Sequence, residues 1–416
     1  MPAKSYLPRI VDSELTQLLQ VLPAVAIEGP KAVGKTETAT RQAARAVLLD
    51  DPGVHTAAQA DPRTILTGPT PVLIDEWQLV PPVWDAVRRA VDADATPGRF
   101  VLTGSARPDH VTAHTGAGRI VQLRMRPMTL PERTRATTTV SLAALLSGDR
   151  ADVTGRAERD LAGYADAIVS SGFPGLQRLG ERARTALLDG YHEQIVQRDV
   201  GEAGHDVRRP ETLRRWLGAF AASVGTVASL EKIRDAATAG DGTTPAKTTV
   251  LAYHDVLERL WVVDDVSGWS PSTRALTKLG QAPKRHLADP ALAVALLGLD
   301  VPGLLSDGLL LGRLFESLAT LSVRVFAQAA GARVRHLRTH GGDREIDLIV
   351  QRRDGRIVAL EVKLGSTIDR HDANGLRWLA DRIGDQLLDA AVISTGPYAY
   401  RRPDGIAVIP LELLGP

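Results

Sequence analysis

The sequence predicts an α/β protein made of several domains. Near the amino terminus a short apolar run, residues 24–27, leads into a glycine-containing loop and a segment of helical composition. A second run, residues 71–74, ends in two adjacent acids, and two segments near the carboxyl terminus, 345–350 and 356–364, have the pattern of a β-hairpin. Because 416 residues exceed what one hydrophobic core usually serves, we expect about two to four domains.

Composition excludes several kinds of chemistry. The chain is 44% hydrophobic and 24% charged, as in ordinary globular proteins, and it has no cysteine. Disulfides, thiolate catalysis, cysteine-liganded zinc and iron–sulfur clusters are therefore excluded. No segment has the apolar core of a signal peptide or the roughly 20 apolar residues of a membrane span, so we expect a cytoplasmic protein that does not bind membranes.

Residues 29–36 read GPKAVGKT, the GxxxxGK(S/T) pattern in its strand–loop–helix context. The glycines allow successive backbone amides to point at phosphates, Lys35 supplies a charge, and the Thr36 hydroxyl suits a Mg²⁺ ligand. The alternative is a chance match. We predict that ATP contacts the loop and the start of the helix through Gly29, Pro30, Lys31, Ala32, Val33, Gly34, Lys35, Thr36 and Glu37.

The acids after the second apolar run complete the predicted nucleotide site. A buried parallel strand ending at Asp75 and Glu76 would place both acids where ligands of open α/β sheets bind. Asp75 would then hold Mg²⁺ through water, and Glu76 would polarise the attacking water. An exposed strand end with incidental acids is the alternative.

Two further sets of polar groups could act on the γ-phosphate. The strand FVLTGS, residues 100–105, ends in Thr103 and Ser105, which are placed to sense that phosphate. Arg119, in the stretch TGAGR, is a candidate for the charge that stabilises the transition state, in cis or from a neighbouring subunit. The alternative for Arg119 is an ordinary surface residue at a strand start.

The chain resembles a family, the AAA-type prokaryotic ATPases that carry a C-terminal domain of unknown function. The resemblance covers nearly the whole chain and rests on GPKAVGKT, AVLLDDP, VLIDEWQ, VLTGSARP, GRI at 118–120, SGFPGL at 171–176 and YHEQIVQRD at 191–199. It implies a P-loop ATPase core at 1–135, with Lys35, Thr36, Asp75 and Glu76 in the roles given above and Arg119 as a finger-like residue. It implies no particular substrate.

The middle of the chain is predicted to be largely helical. Residues 136–210 would form a helical lid or connector, and 211–300 a winged-helix-like domain of three helices and a β-ribbon. In the first of these helices an apolar stripe, Leu213, Trp216, Leu217 and Phe220, would face the core. If the module binds DNA, Lys247, Thr248 and Thr249 would lie in the major groove; the alternative is a module used only for packing or protein contacts.

The C-terminal hairpin, within a predicted small α/β domain at 301–416, could form a metal site. If its loop is Arg353-Asp354-Gly355, Asp347 lies opposite Glu361, whereas a two-residue turn would put the two acids on opposite faces. Asp347 followed by Glu361-x-Lys363 is the pattern of the PD-(D/E)xK nucleases, and Glu316 matches their helical acid. Asp347, Glu361 and Glu316 would then hold Mg²⁺ or Mn²⁺, and Lys363 would position water. A buried Glu–Lys pair kept for structure is the alternative.

Three functions fit the sequence. The first is an ATPase acting on DNA, in which ATP turnover gates a metal-dependent nuclease-like domain. The second is a nucleotide-dependent switch that binds DNA or protein and whose nuclease-like domain is catalytically silent, and the third is a signalling ATPase. Candidate partners are ATP, DNA and further copies of the chain, and the arginine-rich segment 333–356 is either a phosphate-binding or a solvated surface.

Overall fold

The computed structural model describes residues 6–105, 116–205, 209–238, 244–271, 282–339 and 341–416. The amino-terminal part is a parallel five-stranded sheet of order β2-β3-β4-β1-β5 with helices packed against it. Its strands are β1 (Ala24–Glu28), β2 (Arg45–Leu48), β3 (Val72–Asp75), β4 (Phe100–Gly104) and β5 (Val121–Arg124). Its helices are α1 (Ile10–Val21), α2 (Lys35–Thr40), α3 (Pro52–Ala60), α4 (Pro82–Ala93) and α5 (Leu130–Thr134).

The structure confirms the predicted strands β1, β3 and β4, whose residues are all buried. The helix expected after the glycine loop is shorter than predicted, because α2 ends at Thr40 and residues 45–48 form β2. In the segment of helical composition that follows the glycine loop, residues 36–49, Ala46, Val47 and Leu48 pair in parallel with β3 instead. Pairing with an interior strand of the sheet therefore overrides local helical composition here. Residues 106–108 of VLTGSARP lie outside the described residues.

The middle of the chain is mainly helical. It contains β6 (Val140–Ser141), α6 (Leu142–Ser147), β7 (Gly155–Arg156), α7 (Leu161–Val169), α8 (Glu181–Gln194), α9 (Val200–Glu202), α10 (Pro210–Ala222), α11 (Leu230–Ala237), α12 (Lys247–Arg259) and α13 (Pro290–Leu296). A π-helical turn, Ile195–Asp199, joins α8 to α9. The apolar stripe predicted for α10 is buried, as expected.

After α12 two extended segments pair in an antiparallel way, through Val263 with Leu287 and Val266 with Lys284. We call these two segments, residues 262–269 and 282–288, the ribbon; residues 272–281 between them lie outside the described residues. The order of three helices and a ribbon is the one predicted from the sequence. The first segment of the ribbon also bonds to His336, whose backbone N–H donates to the Ser267 carbonyl at 3.0 Å. The ribbon thus packs against the C-terminal domain.

The carboxyl-terminal part is a mixed sheet of seven strands with a long helix against it. Its elements are α14 (Val301–Ser306), α15 (Gly308–Ala329), β8 (Arg333–Arg338), β9 (Glu345–Gln351), β10 (Ile357–Lys363), α16 (Asn374–Ile383), β11 (Leu387–Ser394), β12 (Tyr398–Arg401), β13 (Ala407–Pro410) and β14 (Leu414–Gly415). The sheet order is β7-β12-β13-β11-β10-β9-β8. Strands β6 and β7 come from the predicted connector 136–210, which therefore contributes to this domain.

One hydrophobic cluster runs through all three parts and includes Val25, Trp216 and Leu360. Two smaller clusters cover the other faces of the two sheets. Among the described residues, no helix is long and apolar enough to cross a membrane.

Candidate nucleotide site and C-terminal acidic cluster

The glycine loop connects β1 to α2 and is shaped by its two glycines. Gly34 has φ of +101°, in the left-handed region that L side chains rarely adopt. A Cβ on Gly29 would lie 2.2 Å from the Met125 carbonyl oxygen, so no side chain fits there. The two glycines thus allow the tight turn that the sequence predicted.

The ammonium of Lys35 lies inside this loop. It donates hydrogen bonds to the carbonyl oxygens of Gly29 at 3.0 Å and Pro30 at 2.9 Å. Burial lowers the pKa of Lys35 to about 8, although Glu76 and Asp75 nearby favour its charged form. Phosphate oxygens could replace the two carbonyls as acceptors.

Asp75 ends β3 beside the start of α2. The Thr36 hydroxyl donates to its Oδ1 at 2.8 Å, and the Thr103 hydroxyl donates to the same oxygen. Burial raises the pKa of Asp75, and the two hydroxyl hydrogen bonds oppose that rise. The structure therefore brings together Thr36 and Asp75, the two side chains predicted to hold Mg²⁺, and their hydroxyl and carboxylate oxygens are ligands that Mg²⁺ accepts.

Glu76 is held in a fixed orientation. Its backbone is left-handed, with φ of 52°, which is uncommon for a residue other than glycine. The Ser105 hydroxyl donates to its two carboxylate oxygens at 2.8 and 3.0 Å, and the Gln78 amide donates as well. Thr103 and Ser105 thus contact the two acids and orient them, and their predicted role in sensing the phosphate stays a prediction.

Arg9 and Asp199, to which the sequence analysis gave no role, support the loop. Arg9 donates from Nη1 to the Val33 carbonyl at 2.9 Å and pairs with Glu132 at 3.1 Å. Lys31 pairs at 2.6 Å with Asp199, in the π-helical turn that ends YHEQIVQRD. Such turns often occur at functional sites. Glu37 is exposed in the first turn of α2.

The prediction that Arg119 acts on the phosphate in cis is wrong. Arg119 precedes β5, which runs parallel to β1, so it lies at the amino end of the sheet, whereas the glycine loop follows the carboxyl end of β1. Its guanidinium pairs instead with Asp92 of α4 at 2.7 Å. A role from a neighbouring subunit stays a prediction.

Asp264 of the ribbon joins the nucleotide domain to the C-terminal domain. Its carboxylate contacts Arg126 at 2.9 Å and Arg324 of α15 at 3.0 Å, with Arg124 at 3.9 Å. Burial alone would raise the pKa of Asp264, but the three arginines hold it well below its usual range. The Arg124 guanidinium also lies 3.6 Å from the centre of the Trp261 ring.

The C-terminal hairpin has the register predicted for a three-residue loop. Ile357 pairs with Gln351 and Leu360 with Leu348, and Gly355 has φ of +90°. Continued by one pair, this register puts Asp347 opposite Glu361, and the Val362 amide donates to Asp347 at 2.9 Å. Lys363 contacts Glu361 at 3.2 Å.

Glu316 of α15 completes the predicted set, and all four side chains line one cavity of about 350 Å³. Within it the Lys284 ammonium contacts three carboxylates, two of them from the predicted set. Its Nζ is 2.8 Å from Glu316, 2.8 Å from Glu345 and 2.9 Å from Asp347. Lys284 belongs to the segment APKRHLADPAL, to which sequence reasoning gave no chemistry.

The charges in this cluster shift the protonation of its members. Burial and the neighbouring Asp347 raise the pKa of Glu316 to about 8 and that of Glu361 well above its usual value. Burial would also raise the pKa of Asp347, but Lys284 and Lys363 lower it. The three carboxylates around Lys284 outweigh its burial and raise its pKa.

The carboxylates do not fit a divalent metal while Lys284 occupies this position. Mg²⁺ requires oxygens at about 2.0–2.1 Å and repels an adjacent ammonium. Among the residues that the structure describes, His254, Asp255 and Glu258 each place one ligand atom within 4.8 Å of the other two. Glu316, Asp347 and Glu361 do not form such a group.

The segment that carries Lys284 also contacts a loop beside the nucleotide site. Asp289, five residues on, accepts hydrogen bonds from the Ser171 hydroxyl at 3.1 Å and from the Gly172 amide. In the same loop, Pro174 lies 3.5 Å from the position of a Cβ on Gly34. Residues 284–289 thus connect the acidic cluster to the surroundings of the glycine loop.

Comparison with protein families divides the chain into three matched regions. Residues 22–134 match an AAA domain, 161–302 match a domain of unknown function (DUF8612), and 311–414 match another domain of unknown function (DUF4143). Two curated relatives, the uncharacterized proteins Rv2008c of Mycobacterium tuberculosis and Mb2031c of Mycobacterium bovis, are each 25% identical over 410 residues, 96% of this chain and 82% of theirs.

Two solved structures are more distant. The Walker-type ATPase PABY2304 of Pyrococcus abyssi is 15% identical, with a TM-score of 0.42 over 71% of this chain and 97% of that one. The ORC2 protein of Aeropyrum pernix, as ADPNP–ADP complexes, is 14% identical, with a TM-score of 0.34 over 71% of this chain and 94% of that one. The family match at residues 22–134 agrees with the geometry of the glycine loop and its acids, so this part of the protein is similar to AAA domains and has the arrangement of a P-loop nucleotide site.

Proposed function

We propose that the protein binds ATP with Mg²⁺ and hydrolyses it. The observation that carries this proposal is the convergence of Lys35, Thr36, Asp75 and Glu76 at the carboxyl edge of the five-stranded sheet, with Thr36 bonded to Asp75 at 2.8 Å. This is the position at which open α/β sheets bind their ligands.

Each of these residues would have a separate role in hydrolysis. The loop amides and Lys35 would bind the β- and γ-phosphates, and Thr36 and Asp75 would hold Mg²⁺, which neutralises charge on those phosphates. Glu76 would orient the attacking water and accept its proton, and Ser105 keeps its carboxylate aligned. The left-handed backbone at Glu76 turns the chain directly after Asp75, so the two acids can take different roles.

The test measures ATP binding and hydrolysis by the purified full chain. Lys35→Ala should lose binding, whereas Glu76→Gln should bind ATP and lose hydrolysis by about 10²-fold or more, because it removes the base and keeps the phosphate contacts. Asp50→Asn is the matched control, since it changes an exposed carboxylate at the end of β2 and should leave both measurements unchanged. Full hydrolysis by Glu76→Gln would contradict the proposed role.

We further propose that ATP controls a C-terminal domain that binds DNA or a partner protein without cutting DNA. The convergence of Glu316, Asp347, Glu361 and Lys363 supports a nuclease-like domain, and the position of Lys284 among the acids favours the silent version over a gated nuclease. The connection through residues 284–289 supports coupling to the nucleotide site.

Labelled linear, single-stranded and branched DNA, mixed with the protein in Mg²⁺ or Mn²⁺ with and without ATP, separates the two versions. ATP-dependent retention of DNA that disappears in Lys35→Ala, without cleavage, is the expected result for a switch. Metal-dependent cleavage that disappears in Lys363→Ala would establish the nuclease instead. A protein partner predicts neither retention nor cleavage and an ATPase rate that DNA does not change.

A further inference from the structure

The Lys284 ammonium is a built-in part of the acidic cluster. The residue is 1% exposed, and its Nζ contacts carboxylates from three places in the C-terminal domain: Glu316 on α15, and Glu345 and Asp347 on β9. Three acidic oxygens at 2.8–2.9 Å satisfy the three N–H donors of an ammonium. The lysine therefore uses its full bonding capacity on carboxylates, and two of these, Glu316 and Asp347, belong to the set that the sequence pattern assigns to a metal.

The backbone of Lys284 is fixed on two sides. Its amide and carbonyl exchange hydrogen bonds of 2.9 Å with Val266 across the ribbon. The next residue, Arg285, donates from its amide to the Thr226 carbonyl at 2.8 Å and accepts from the Gly225 amide at 2.9 Å. The side chain of the following residue, His286, contacts Ser317 of α15 at 3.1 Å, next to Glu316. The backbone that carries the ammonium is therefore held in place beside α15.

A divalent ion and this ammonium exclude each other. Mg²⁺ bound to Glu316 and Asp347 would need their oxygens at about 2.0–2.1 Å, whereas these oxygens already bond to Nζ at 2.8 and 2.9 Å. The ion would also lie next to the positive charge of the buried Lys284 side chain. The ammonium pairs with the same acids, and no metal ion has to lose its bound water. The charge that a metal would neutralise is supplied by the middle part of the chain.

We propose that Lys284 is an internal cation that takes the place of a divalent metal in the C-terminal acidic cluster, so that this cluster binds Mg²⁺ or Mn²⁺ only when Lys284 is removed or withdrawn. The proposal goes beyond ATP hydrolysis and does not depend on it. In this proposal the ion pairs of Lys284 also hold the ribbon against the C-terminal domain.

The test counts Mn²⁺ ions bound to the full chain without nucleotide, by the loss of the free-ion signal in electron paramagnetic resonance. Asp347→Asn removes one acid of the cluster and leaves the nucleotide domain unchanged. The number of Mn²⁺ ions that a protein loses on this substitution is therefore the number bound by the C-terminal cluster. We expect the wild type and its Asp347→Asn form to bind the same number of Mn²⁺ ions. We expect a difference of one Mn²⁺ between Lys284→Met and Lys284→Met with Asp347→Asn.

Lys363→Met is the matched control, because this ammonium contacts Glu361 at 3.2 Å and lies at the rim of the cavity. It should gain no Mn²⁺. A difference of one Mn²⁺ between the wild type and Asp347→Asn would overturn the proposal, and so would a folded Lys284→Met that gains none.

If Lys284→Met does not fold in a metal-free buffer, the comparison of wild type with Asp347→Asn still decides, since Asp347→Asn leaves Lys284 paired with Glu316 and Glu345. Where Lys284→Met does fold, the melting temperature gives a second measurement. Without the ammonium the remaining acids repel one another. Mn²⁺ should therefore raise the melting temperature of Lys284→Met and not that of the wild type. Equal shifts in both proteins would count against the proposal that Lys284 takes the place of a metal.

Discussion

Replacing Asp264 by asparagine should strongly destabilise the protein, because this carboxylate is the shared partner of three arginines between domains. Asp264 contacts Arg126 at 2.9 Å and Arg324 at 3.0 Å, and all three side chains are largely buried. Asparagine keeps the size of the side chain and removes only the charge. The variant therefore tests the electrostatic contribution and leaves the packing nearly unchanged.

The expected loss can be worked out from the contacts that remain. Removing one partner of a buried ion pair costs about 3–5 kcal/mol. After the change, Arg126 still donates to the Gln328 side chain at 3.3 Å, and Arg324 still donates to the backbone carbonyl at position 264 at 2.7 Å. Because both guanidiniums keep an acceptor, we expect a loss near the lower end, about 3 kcal/mol in the free energy of unfolding.

The pH dependence of this loss has a defined sign. The arginines hold the pKa of Asp264 well below its usual range, so its contribution to stability is present above the pKa of an unfolded aspartate, about 4, and is lost as pH falls through the lower folded value. The difference between wild type and Asp264→Asn should therefore stay constant from about pH 7 to 5 and shrink only below about pH 4.

Urea unfolding of both proteins across this pH range measures the difference. Asp61→Asn is the control, because Asp61 forms a 2.8 Å ion pair with Arg63 on the surface, where stability should not change measurably. A loss below about 1 kcal/mol at pH 7, or a difference that already shrinks at about pH 6, would refute the reasoning.

Three further outcomes test the nucleotide domain. Burial lowers the pKa of Lys35 to about 8, and phosphate favours its charged form. ATP binding above about pH 8 should therefore take up a proton, which calorimetry in buffers of different ionisation enthalpy measures. Binding to Lys35→Arg should take up none. Gly29→Ala should abolish ATP binding, because its Cβ would lie 2.2 Å from the Met125 carbonyl oxygen, whereas Gly175→Ala, with open space around it, should bind normally. If Arg119 acts on a neighbouring subunit, the ATPase rate per molecule should rise with protein concentration and Arg119→Ala should lose that rise; a rate independent of concentration would contradict this role.

The sequence determined the parts of this protein in which spacing along the chain fixes geometry. A strand, a glycine loop and a helix in succession bring Lys35 and Thr36 to one point, and an apolar strand that ends in Asp75 and Glu76 brings both acids to the same edge of the sheet. The three-residue hairpin loop likewise places Asp347 opposite Glu361, because a side-chain period of two leaves a strand only two faces.

Only the tertiary structure decided which distant residues meet these motifs. Lys284 is 32 residues before Glu316 and 63 before Asp347 along the chain, and no local pattern indicates that the ribbon carries its ammonium into their midst. The same holds for Arg9 behind the glycine loop and Asp199 beside Lys31. Conversely, Arg119 had a suitable motif, but the parallel direction of β5 puts it at the amino end of the sheet, opposite the glycine loop. Ion pairs act through space, so the folding of separate domains against one another determines them, whereas turns and strand ends are determined by the order of residues.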